Sequence, residues 1–172
     1  MSIAVVDACF LINWSRFKYW KDIFKLFFRL ILPEIVLPEI RSSNAKRFML
    51  SLATTGRLLI IPRVDYVDRE ALKLFTLINS IPELPRIDEP EAYGLAYAKL
   101  YRIPFLTDNA APRIAKEFLG ELNEVQILDS LEVLCKLYSG KTLILRIKEF
   151  MKDTNIIFSR NRLREKGIEF EE

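Results

Sequence analysis

The chain has 172 residues, 51% of them apolar, with 12 Phe, 6 Tyr and 2 Trp against only 5 Gly and 8 Pro. That composition gives one domain with a core of ordinary size and argues against disorder. Net charge is +3 and the pI is near 8.8, which permits a nucleic-acid partner without requiring one, and the absence of histidine removes Ser-His-Asp and Cys-His arrangements, HExxH zinc sites and any histidine base.

In chain order, residues 2–6 (SIAVV) read as a buried parallel strand closed by Asp7. Residues 9–30 carry Phe17, Trp20, Ile23, Phe24, Phe27 and Phe28 near helical spacing and are predicted as one helix with a broad apolar face. The aromatic stretch 14–28 is a candidate interface, with core packing as the simpler explanation. ILP within 31–40 is a short strand-like step, and a new helix is expected to start near Pro33 or Pro38. RSSNAKRFMLSLATTG continues as helix or turn and stops at Gly56. RLLIIP (57–62) is a second strand, 65–80 a helix, 81–88 a proline-rich loop, and 89–101 a helix with Asp88 as its N-cap. IPFLT (103–107) is a third strand, 110–119 a helix, VQIL (125–128) a last strand, and SLEVLCKLY a further helix. This alternation predicts an α/β fold with a mainly parallel sheet covered by helices on both faces. Beyond Gly140, residues Leu143, Ile144, Ile147, Phe150 and Met151 form a helical stripe, and the chain ends in the charged run RNRLREKGIEFEE. Residues 1–138 are therefore read as the main domain and 139–172 as a helical extension packed on or beside it.

Cys9 and Cys135 lack metal-ligand spacing and are read as buried core residues. The N-terminus has no basic region ahead of its apolar run and no cleavage site. FKLFFRLILPEIVL is interrupted by Lys25, Arg29, Pro33 and Glu34. Neither a signal peptide nor a membrane span is expected, and a cytoplasmic location is.

Acids stand where apolar segments end: Asp7 after IAVV, Glu39 in VLPEI, Glu89 and Glu91 opening a helix, and Asp108 after IPFLT. Carboxylates at strand-to-helix junctions can converge at one end of a parallel sheet. Such a cluster, without histidine, suits a hard divalent cation held by oxygen. Each acid also has a structural explanation: Asp7 as a helix cap, and Glu39, Glu89 and Glu91 as first-turn acids favoured by the helix dipole. Asn13, Thr107 and Asn109 can orient ligands or water. Arg113 suits a phosphate bidentately, or else pairs with Glu117 one turn on. Arg41, Lys46 and Arg47 are weaker candidates for backbone contacts.

VVDACFLI, IVLPEI, EPEAYGLAYA and FLTDNAAPRIA, in that order, resemble the four motifs of the PIN-domain family of metal-dependent ribonucleases, which includes VapC-type toxins. The subgroup with a G-E-x-x-A third motif is the most similar, with Asp88-Glu89 standing where Gly-Glu is usual. The resemblance spans roughly residues 1–135. It implies a three-layer α/β/α sandwich and a catalytic set of Asp7, Glu39, Glu91 and Asp108. It implies Mg²⁺ or Mn²⁺ on Asp7, Glu91 and Asp108, with Glu89 the alternate to Glu91. It further implies cleavage of single-stranded RNA, an antitoxin partner and a homodimer. Two positions depart from the pattern: Ala8 stands where many members have Ser or Thr, and Asn109 where many have Asp. The alternative is a non-catalytic α/β module for protein interaction or RNA binding, with a degenerate acidic site. A phosphatase with a DxD pair is disfavoured because Cys9 lies two places after Asp7.

Overall fold

The computed structural model describes residues 2–168. Its strands are β1 (Ser2–Val6), β2 (Phe27–Pro33), β3 (Leu58–Ile61), β4 (Phe105–Leu106) and β5 (Ile127–Leu128). They form one sheet in the order β3-β2-β1-β4-β5, with every neighbouring pair parallel. Helices α1 (Ala8–Arg16), α2 (Ser43–Thr54), α3 (Asp65–Ser80), α4 (Glu89–Tyr101), α5 (Ala110–Phe118), α6 (Ser130–Leu137), α7 (Gly140–Thr154) and α8 (Arg160–Glu165) complete the chain.

Strand residues alternate between two cores, as a pleated strand covered on both faces requires. Ala4, Val6, Leu30, Leu32, Leu58, Leu106 and Leu128 face one core with Phe10, Trp14, Leu52, Leu134, Ile147 and Phe150. Val5, Ile31, Phe105 and Ile127 face the other, under α3, α4 and α5. The result is the three-layer α/β/α sandwich that the strand–helix alternation and the motifs implied.

Two boundaries differ from the sequence reading. The single helix expected over 9–30 is α1, a 3-10 turn at Trp20–Lys25 and the start of β2. β2 lies between β1 and β3 with helices over both faces. Its residues FFRLILP therefore form a near-continuous apolar run with no polar alternation to distinguish strand from helix. The helix expected at Pro33 or Pro38 is only a 3-10 turn over Glu34–Glu39, and α2 starts later, at the Ser42 cap. Gly56 ends α2 as expected, at φ +69°.

The aromatic stretch 14–28 packs mainly into the core, the simpler of its two explanations. Trp14, Phe17, Ile23 and Phe27 are buried, Tyr19, Trp20 and Phe24 pack against them, and Phe28 alone of the seven aromatics is exposed. α7 enters the same core: Phe150 meets Phe17 and Trp14 at ring distances of 5.0 and 5.7 Å. The charged end of the chain forms α8 up to Glu165, and residues 169–172 lie outside the described residues. Among the described residues no helix is long and apolar enough to cross a membrane.

Gly94 lets α4 lie close to the sheet. A Cβ there would sit 2.6 Å from the Phe105 ring, which is itself almost fully buried. Gly94→Ala is expected to destabilise the fold by about 2 kcal/mol, as overpacking a tight core does. A thermal melt should show a drop of roughly 4–8 °C for a chain of this length.

Candidate active site

Strand order reverses between β1 and β4, and this switch point opens a crevice at the carboxyl ends of the strands. Asp7 follows β1 and Thr107-Asp108 follow β4, so the parallel register sets both acids beside the same crevice. The cleft holds about 590 Å³ and is lined by Asp7, Cys9, Asn13, Glu39, Asp88, Glu91, Asp108, Asn109, Arg113 and Asp129. Its other wall is Ile156, Ile157, Phe158, Ser159 and Arg162.

Asp7 caps α1, and its Oδ1 accepts the Cys9 amide at 2.7 Å. Its Oδ2 accepts the Thr107 hydroxyl at 2.5 Å and the Cys9 thiol at 3.0 Å. Thr107 in turn accepts the Asn109 amide at 3.1 Å. Burial raises the Asp7 pKa, these hydrogen bonds pull it back, and the Asp88 charge adds to the rise. Cys9 is therefore not an inert core residue, as its spacing alone suggested. It is partly exposed on the floor of the cleft, and burial and the Asp7 charge push its thiol far up, so it stays protonated and donates. Cys135 is likewise only partly buried, packed against the core.

Asp108 is fixed on both oxygens. Asn13 Nδ2 and Ser130 Oγ donate to Oδ2 at 2.7 and 2.8 Å, and the Ser130 amide donates to Oδ1 at 2.8 Å. Burial raises its pKa against these bonds. A carboxylate has about four lone-pair sites, and one donor reaches Oδ1 in each of Asp7 and Asp108, so both retain acceptor capacity there.

Glu91 has two roles. With Asp88 it forms a capping box: Asp88 Oδ1 accepts the Glu91 amide at 2.8 Å, and Glu91 Oε2 accepts the Asp88 amide at 3.1 Å. The Asn109 side chain donates from Nδ2 to its Oε1. Burial, with the charges of Asp88 and Asp7, pushes Glu91 up to about 7, while its hydrogen bonds with the Asp88 amide and Asn109 pull the other way. Glu39 lines the same cleft. Burial and the charges of Asp88 and Asp7 push it up to about 7, with Arg41 working against them.

Glu89 is not in the cleft. Its carboxylate pairs with Arg63 at 2.8 Å and lines a separate hollow with Asp68, Leu72 and Tyr93. Residues two apart on a helix point to different faces, so with Glu91 turned inward Glu89 is turned away. The structure thus offers no support for Glu89 as the alternate ligand. Arg113 lies on the cleft wall, paired with Asp129 at 3.1 Å rather than with Glu117. Lys46 and Arg47 do not line the cleft.

Asp88, Asp129 and Arg162 also line the cleft and were not singled out as site residues. Both aspartates had a local signal, the D-x-x-E capping boxes at 88–91 and 129–132. Arg162 had none, being more than 30 residues from the nearest motif.

Among the described residues no group of three or more Asp, Glu, His or Cys side chains is placed to hold a metal ion. The donor chemistry nonetheless suits a hard cation: the acids are carboxylates, partly desolvated, and they raise one another's pKa. Mg²⁺ is commonly held by one or two carboxylates, with water and substrate phosphate completing its shell.

The chain superposes on a chain of the VapBC2 complex from Rickettsia felis, solved bound to a DNA fragment from its promoter. The TM-score is 0.54 at 15% identity, covering 74% of this chain and 98% of that one. The fold is PIN-like. At that identity the likeness concerns the fold and not the G-E-x-x-A subgroup or the chemistry. No family model matches the sequence, and no curated protein matches it. In this PIN-like fold the cleft at the β1/β4 switch point is where the acids gather.

Proposed function

We propose that this chain is a divalent-metal-dependent ribonuclease that hydrolyses RNA phosphodiesters. The observation that carries the reading is the gathering of Asp7, Glu39, Asp88, Glu91 and Asp108 in one cleft, where burial first, and like charges after it, raise the pKa of Asp7, Glu39 and Glu91. Such a cluster favours a bound cation. When bound, Mg²⁺ or Mn²⁺ supplies Lewis-acid activation of the phosphodiester and of water.

Asp7, Glu91 and Asp108 would supply carboxylate oxygens to the ion, with water and substrate phosphate completing its shell. Thr107 and Cys9 fix the Asp7 carboxylate, Asn13 and Ser130 fix that of Asp108, and Asn109 fixes Glu91. Glu39, which burial and neighbouring charges push up to about 7, would exchange a proton with the attacking or departing oxygen. Arg113 holds a neighbouring phosphate. By likeness to VapBC2, the protein works with an antitoxin partner, and a homodimer is consistent with that arrangement.

One observation favours a non-catalytic, RNA-binding alternative: the lack of a ready-made three-acid metal group among the described residues. Metal titration separates the two. Glu91→Ala is expected to weaken Mn²⁺ binding by roughly 10–100-fold, the loss usual for a disrupted metal site. Glu89→Ala should leave it unchanged, because Glu89 faces Arg63. No specific Mn²⁺ binding by the unaltered protein would leave the non-catalytic reading.

A further inference from the structure

The acidic cleft has a second wall, and it comes from the C-terminal extension. Ile156, Phe158 and Arg162 line the cleft along with the carboxylates. Ile156, Phe158 and Leu163 seat this part of the chain on the core, Lys166 pairs with Glu132 at 2.9 Å, and Asp129 Oδ2 takes both Arg113 at 3.1 Å and Arg162 at 2.5 Å. Two guanidiniums therefore lie side by side on a single carboxylate. Arg113 gives Asp129 only Nη1, and its buried Nε has no hydrogen-bond partner among the described residues. Arg162 gives Nη2 to Asp129 and Nη1 to the exposed Glu165. An arginine has five N–H donors in a rigid fork that fits phosphate, so both retain capacity for an anion. The cleft thus carries a pair of arginines on Asp129 as well as the carboxylates of Asp7, Glu39, Asp88, Glu91 and Asp108.

The apolar part of this wall is unusual. Ile156 and Phe158 pack inward on the first core, while Ile157 between them is 84% exposed and lines the cleft. That side chain stabilises nothing within the described structure by burial.

We infer that the Ile156–Arg162 segment is the substrate-gripping wall of the groove. Arg162, beside Arg113, takes a backbone phosphate of single-stranded RNA, and Ile157 takes the apolar face of a base. This rests on the ribonuclease reading of the cleft.

The test is binding of a short fluorescein-labelled single-stranded RNA to the full-length Asp7→Asn protein in EDTA, followed by anisotropy across a salt series. A lost phosphate contact to a single strand lowers the slope of log affinity against log salt by about 0.7. Arg162→Gln should show that loss of slope, and Arg162→Lys should restore it. Ile157→Asp, at a position too exposed to unfold the chain, should weaken binding roughly tenfold at low salt by opposing both base and phosphate. A wild-type slope in a folded Arg162→Gln protein overturns the inference, because Arg162 is then only a tie to Asp129. Unchanged affinity in Ile157→Asp overturns it as well, whatever Arg162→Gln does to the fold. If the Asp7→Asn protein binds no RNA at any salt, with or without Mg²⁺, the ribonuclease reading itself falls.

Discussion

Asp7→Asn is expected to lower Mn²⁺- or Mg²⁺-dependent cleavage of single-stranded RNA by about a thousandfold, an effect of ~4 kcal/mol on the barrier. The substitution removes charge and keeps shape. Asparagine Oδ1 can still accept the Cys9 amide and so keep the cap on α1. Its Nδ2 would face Thr107 Oγ1, whose hydroxyl can turn to accept. The fold should therefore survive, with far-UV circular dichroism unchanged. Loss of charge at Asp7 should also relieve Glu39 and Glu91, since its charge helps to raise both. EDTA should stop cleavage by the unaltered protein completely. Cleavage that continues in Asp7→Asn would mean either a contaminating nuclease or a reaction centred elsewhere.

The second large effect is on stability. In EDTA the protein should melt at a lower temperature near pH 8 than near pH 5, and divalent metal should restore much of the difference. Glu91 and Glu39 are both raised from 4.5 to about 7 in the folded state. A raised carboxyl binds its proton more tightly when folded, so the stability it contributes is full below the unfolded value and is lost as pH rises through about 7. Buried Glu91 alone accounts for on the order of 3 kcal/mol. At ~2–4 °C per kcal/mol for a chain of this size, the fall should be roughly 6–12 °C. Asp22 and Glu121, which Lys25 and Lys73 help to hold low, act in the opposite sense, below the ordinary carboxylate range and outside this window. Glu91→Gln should flatten the profile. A melting temperature that is level across this range in EDTA would show that the acids do not strain one another, and the argument for a bound cation would lose its basis.

The sequence by itself determined the strand–helix order outside residues 9–42, the parallel sheet and four of the acids in the cleft. These features are local. SIAVV followed by Asp7, and IPFLT followed by Asp108, are strand ends that can be read without knowing what lies beside them. Asp88 is visible as a cap because its partner Glu91 is only three residues away. The tertiary structure decided what depends on neighbours distant in sequence. FFRLILP is a central strand because β1 and β3 flank it, and an apolar run buried on both faces has no periodicity of its own. Glu91 faces the cleft and Glu89 faces Arg63 because α4 is rotated to set Gly94 on Phe105, a contact across 11 residues of chain. Cys9 donates to Asp7 because Thr107, 98 residues away, closes the same pocket. Arg162 reaches Asp129 across 33 residues because Phe150 anchors α7 in the first core and so returns the chain to the cleft. Sequence patterns report a residue's own backbone and its near neighbours, whereas side-chain direction and charge partners are set by packing between elements.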